Sequence, residues 1–149
     1  FNNIIEKMRP MLDQLSATAP LSRTELQGVP KRGVYVFYED EGPIYVGRSN
    51  RLRQRLLEHG QPSSRHNSAT FAFNLALAAA AEGEITLPDT TRTELETCPP
   101  FRNLYDQAKD RVAAMKIRVI EITDPIEQTI FEVYAALSLN TAYNDFDTH

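Results

Sequence analysis

The chain has 149 residues, 42% of them hydrophobic, and a net charge of -4, which is one domain's worth of sequence with enough apolar side chains to fill a core. No apolar run approaches the ~18 residues of a membrane-spanning helix and no secretory signal is read at the start of the sequence, so no membrane association and a cytoplasmic setting are expected. The negative balance argues against a protein that coats nucleic acid indiscriminately, because phosphate binding needs local positive charge.

In chain order, Ile4, Ile5, Met8, Met11, Leu12 and Leu15 recur at helical spacing and predict an amphipathic packing helix interrupted at Pro10. Residues 33–38 and 44–46 read as strands from their β-branched and aromatic content, with Glu39-Asp40-Glu41-Gly42-Pro43 as the turn between them. From about Asn50 to His59 the pattern becomes helical: Leu52 and Leu56 lie one turn apart, and Arg51, Arg55 and His59 follow at four-residue steps on another face. Gly60-Gln-Pro-Ser-Ser is a loop, after which Ser68 or Asn67 can cap a helix running to about Ala81. Residues 83–100, with three prolines and no period, read as an insertion loop. Phe101, Leu104, Ala108, Val112 and Met115 predict another helix, and Ile117, Val119 and Ile122 a strand over 116–122. Cys98, the single cysteine, cannot make an internal disulfide; it fits a reducing compartment and reads as a loop thiol.

Asp124-Pro125-Ile126-Glu127 opens the last helix with an N-cap residue, a proline at the first helical position and a glutamate at the third. That is a capping box, and it gives Glu127 a structural role. Ile126, Ile130, Val133 and Leu137 form the expected buried stripe, and at ~100° per residue Glu132 lies about 130° from its centre. Phe131, Ala135 and Ala136 give Glu132 apolar neighbours, so an unpaired carboxylate there is costly unless a cation or an arginine meets it. Taken alone, Glu132 reads more readily as a surface glutamate.

Charge is unevenly spread. Residues 44–66 carry Arg48, Arg51, Arg53, Arg55 and Arg65 against the single acid Glu58, so this stretch is +4 and the remainder of the chain is -8. One face that meets a polyanion while the others repel it follows from such polarity. For Arg51 and Arg53 a solvated helix face is the competing reading.

The order of motifs is more specific than any of them singly: Gly33-Val34-Tyr35, then Tyr45-Val46-Gly47, then Arg55 in the next helix, then Glu132, and Asn144 twelve residues later. This set resembles the GIY-YIG nuclease family over residues 33–59 and 124–146, with 60–115 only leaving room. Val34 and Val46 stand where isoleucine is usual, a conservative exchange in a strand. The resemblance implies an α/β fold, a small central three-stranded antiparallel sheet flanked by helices. It also implies one nuclease domain over 1–149, with an N-terminal helix and an insertion around 60–115.

It further implies an endonuclease hydrolysing DNA with one divalent ion, Mg2+ or Mn2+, held by Glu132 and water. Tyr35 would take the proton of the attacking water; free tyrosine titrates near pH 10, so nearby cations or the ion's water must lower it. Tyr45 would orient water or phosphate, Arg55 would clamp the scissile phosphate, and His59 would contact phosphate or assist proton transfer. Asn144 would support the site through hydrogen bonds, and Arg48, Arg51, Arg53, Arg65 and His66 would meet DNA. Arg48 stands where many relatives carry lysine and keeps the charge without lysine's capacity to give up a proton. His66 reads either as a contact to DNA backbone or as a structural loop histidine. A catalytically weak nucleic-acid-binding module, or a partner-dependent domain of a repair, restriction or mobile-element system, is the alternative. A homodimer or a larger assembly is the expected setting for double-strand cleavage.

Overall fold

The computed structural model describes residues 1–40 and 42–144. Glu41 of the expected turn, and Asp145 and Phe146 at the end of the resemblance, lie outside the described residues. In chain order the elements are α1 (Asn2–Ala17), β1 (Gly33–Glu39), β2 (Gly42–Ser49), α2 (Leu52–His59), α3 (Thr70–Glu82), α4 (Arg92–Leu95), α5 (Pro99–Ala113), β3 (Lys116–Glu121) and α6 (Pro125–Leu139). They form two compact units, one of residues 1–54 with the described residues from 115 onward, the other of residues 55–114. The boundary falls inside α2.

In the first unit the three strands make one antiparallel sheet in the order β2-β1-β3, the expected α/β arrangement. Val34, Val36 and Val46 share a core with Met8, Leu12 and Leu15 of α1, Ile120 and Ile122, and Phe131, Ala135 and Ala136 of α6. Side chains alternate along a strand, so Tyr35 and Phe37, edge to face at 5.7 Å, occupy the other face. Both are buried, and central β1 accordingly reads as an unbroken apolar run. The motif glycines are close-approach points: a Cβ at Gly33 would overlap the Ile120 carbonyl oxygen, and one at Gly47 would overlap the ring and hydroxyl of Tyr35.

The second unit packs α3 against α5 through Phe73, Phe101 and Tyr105, all fully buried. Glu96, 3% exposed, accepts from Arg65 Nε at 2.7 Å, the His66 amide at 2.8 Å and His66 Nδ1 at 3.0 Å. Buried Lys109 donates to the carbonyls of Pro62 (2.5 Å) and Ser64 (3.2 Å), and the Tyr105 hydroxyl also donates to Ser64. The loop after α2 is thereby held from within by two charged groups.

The structure departs from the sequence expectations at five places. Pro10 does not interrupt α1, because burial of Met8, Leu12 and Leu15 on either side outweighs one missing backbone bond. β2 extends from Gly42 to Ser49, and Glu39 pairs with Gly42, so most of the expected turn is strand. α3 is capped at Ala69 with no side-chain bond, not by Ser68 or Asn67. The stretch 83–100 contains α4, capped by Thr91, and its last two prolines are the opening positions of α5, where their missing N–H groups cost nothing.

The fifth departure is α6. Ile126 and Leu137 are 63% and 74% exposed and Val133 is exposed too, while Gln128, Phe131, Ala135 and Ala136 are buried. Small alanines let the helix approach the sheet closely, which outweighs the size of the branched residues. Asp124 does cap, accepting from the amides of Ile126 and Glu127, but the Glu127 carboxylate takes Lys7 of α1 at 2.9 Å instead of closing the box.

Gly47→Ala is expected to destabilise the protein by about 2 kcal/mol, as overpacking against a buried ring does, and denaturant unfolding measures it. Burial pushes the Glu96 carboxyl up, but the three donors from Arg65 and His66 outweigh it and hold it below its ordinary value of 4.5. Such a carboxylate contributes stability above that value and loses it as pH falls through its folded pKa. Glu96→Gln is therefore expected to cost about 2 kcal/mol at pH 7 and to flatten the acid limb of a stability–pH profile.

Candidate active site

Tyr35 sits mid-sheet opposite Gly47, and the bare glycine is what lets its ring and hydroxyl cross β2. Tyr45, half-buried and paired with Phe37, belongs to the same sheet face by alternation. The next residue after Gly47 is Arg48, whose Nε lies 3.7 Å from Glu132 Oε1, with side chains 41% and 20% exposed. Glu132 comes from α6, on the opposite face of the sheet. The tyrosines and the glutamate therefore share the edge strand β2 and approach it from its two sides.

Glu132 is the more buried for lying beside Phe131, on the face that α6 turns inward. Burial pushes its carboxyl above the ordinary value, and the Arg48 charge offsets part of that. Among the described residues there is no group of three or more His, Cys, Asp or Glu that could hold a metal. A hard oxygen ligand that is partly desolvated and partly open fits one ion that keeps most of its water shell.

Asn144 closes on β2 from outside. Its Nδ2 donates to the Val46 carbonyl at 2.7 Å, and its Oδ1 accepts the Val46 amide at 2.8 Å and the Thr141 hydroxyl at 2.8 Å. Between Tyr45 and Gly47, the backbone of the second motif is thus fixed by a side chain from the far end of the chain.

The arginines divide. Arg51 and Arg53 are exposed, and Arg51 donates to Gln54 at 3.0 Å. Arg55, half-buried in the second unit, donates to the Ser68 carbonyl at 2.8 Å. Arg65 and His66 are committed to Glu96, so the structural reading of His66 accounts for its contacts. His59 is fully buried with its ring 6.4 Å from that of Phe71, and burial first, then the Arg55 charge, hold its pKa well below the ordinary 6.5. A contact with phosphate would need an exposed imidazole, and this one is neutral and enclosed.

Two residues near Glu132 escaped the sequence reading. Gln128, one turn earlier on α6 and fully buried, donates through Nε2 to Asn50 Oδ1 at 3.1 Å and to the Ile122 carbonyl at 2.6 Å. The available signal was a lone amide at i-4 from the glutamate.

A family model described as GIY-YIG catalytic domain matches residues 31–107, from just before β1 into α5. It takes in both tyrosine segments and all five arginines but stops short of Glu132 and Asn144. No curated protein and no solved structure matches the chain. The two glycine–tyrosine segments are adjacent antiparallel strands of one small sheet, the pattern that gives the family its name, and with more than half of its length matched this chain belongs to the GIY-YIG nuclease family.

Proposed function

We propose that the chain is an endonuclease that hydrolyses DNA phosphodiester bonds with one divalent ion, Mg2+ or Mn2+, held by Glu132. The observation that carries this reading is the Glu132 carboxylate: burial disfavours its charge, and a cation, here the Arg48 guanidinium at 3.7 Å, is what it faces. Family membership supports a nuclease, and the divalent ion too, since GIY-YIG nucleases are generally divalent-metal dependent. When bound, the ion would supply charge neutralisation at the phosphate and a more acidic water.

The chain's own groups divide the remaining work. Tyr35, buried in the sheet, would accept the proton of the attacking water by relay, with its ring orientation set by Gly47. Tyr45 would orient water or phosphate through its hydroxyl. Arg55 would donate to the scissile phosphate, exchanging its bond to the Ser68 carbonyl for a charge-assisted one. Asn144 holds the β2 backbone between Tyr45 and Gly47. Arg48, Arg51 and Arg53 would steer the DNA backbone, giving binding that weakens with salt.

The test is nicking of supercoiled plasmid with Mg2+, Mn2+ or EDTA, comparing the wild type with Glu132→Gln. Metal-dependent nicking is expected in the wild type, and a loss of roughly a hundredfold or more in the variant. A carboxyl whose folded pKa is raised costs stability once pH exceeds its ordinary value of 4.5. Metal-free Glu132→Gln is therefore expected to melt at or above the wild-type temperature at pH 7.5. Salt-sensitive DNA binding without cleavage by the wild type would instead establish the binding module.

A further inference from the structure

Two contacts join α6 to the end of β2. Arg48 meets Glu132 at 3.7 Å and Asn50 meets Gln128 at 3.1 Å. Their spacings match: two residues along an extended chain advance about 6.6 Å, and four along a helix advance about 6.0 Å. Closing one pair therefore sets the other in register.

The Gln128 amide cannot turn over. The Ile122 carbonyl only accepts, so Nε2 must face it at 2.6 Å, and Oε1 is left buried with no hydrogen-bond partner among the described residues. A buried acceptor left open costs stability, which an apolar residue of the same size would avoid. What the amide provides instead is a bond to Asn50. The turn it grips is held from two other directions, by Ser49 Oγ accepting the Arg51 amide at 2.9 Å and by Leu52 N–H donating to the Lys31 carbonyl at 2.9 Å.

We propose that Gln128 is a positioning residue: by holding Asn50 it sets the register of α6 against the end of β2 and so fixes where the Glu132 carboxylate meets Arg48. The kinetic consequence rests on the nuclease reading above; the geometric one does not. Gln128 touches no reacting group and acts through Glu132 and Arg48.

The experiment uses Gln128→Met, Asn50→Leu and Asn50→Asp in the full chain. Asn50 is exposed, so its variants test the contact even if the buried Gln128→Met does not fold. In metal-free protein the Arg48 Nε–H resonance reports the guanidinium's surroundings, with Glu132→Gln marking its position when the pair is lost. Gln128→Met and Asn50→Leu are expected to move that resonance toward the Glu132→Gln position. They are also expected to lower kcat for a labelled oligonucleotide by about tenfold or more, with KM unchanged. Asn50→Asp keeps an oxygen for Nε2 and is expected to retain the wild-type resonance and kcat. An unmoved Arg48 resonance in Asn50→Leu, or Asn50→Asp behaving like Asn50→Leu, would overturn the proposal. If the wild type cleaves nothing, the nuclease reading fails, and the resonance still decides the positioning role.

Discussion

The first unit depends on the places where β1 has no side chain between it and its neighbours. Gly33 lies against the Ile120 carbonyl on one side, and on the other Tyr35 crosses the bare Cα of Gly47. Both glycines cost chain entropy on folding. In return the ring of Tyr35 lies flush with a strand it would otherwise be pushed away from. The glycine of one motif thus specifies the orientation of the tyrosine of the other, so the two tripeptides are one structural device split across a hairpin.

What could be read from the residues is what local chemistry decides. Strand content, the Asp124 cap and the position of the hairpin all express preferences within a few residues, and the order of motifs adds the sheet. Burial of a helix face is decided by its partner. Ile126, Ile130, Val133 and Leu137 and the set Phe131, Ala135 and Ala136 are both apolar stripes on α6, and only the sheet chooses between them. The same choice explains why Glu132 is more desolvated than its helical angle suggested. Prolines misled for a related reason: Pro99 and Pro100 break a helix only if one precedes them, and here they begin one.

The arginine count overstated the cationic surface. Arg48 faces Glu132, Arg65 is drawn to Glu96, Arg51 bonds Gln54 and Arg55 bonds a carbonyl. These engagements are unequal. The carbonyl and amide bonds can be exchanged for phosphate with little electrostatic loss, whereas taking Arg65 away would leave a nearly buried carboxylate without its shortest hydrogen bond, the 2.7 Å one from the guanidinium. Glu96 has no sequence signature, since nothing in Thr-Glu-Leu-Glu-Thr distinguishes the acid that faces inward.

A sheet of three strands has two outer rims, and exposed rims invite pairing with other polypeptides. Here both are sealed at one point by something that imitates a fourth strand. Beside β2, the Asn144 amide takes the N–H and C=O of Val46, as a neighbouring backbone would. Beside β3, Leu21 exchanges both bonds with Ile117. Lateral growth of the sheet, the route by which small β layers join into aggregates, is blocked at Val46 and Ile117 unless Asn144 or Leu21 first lets go.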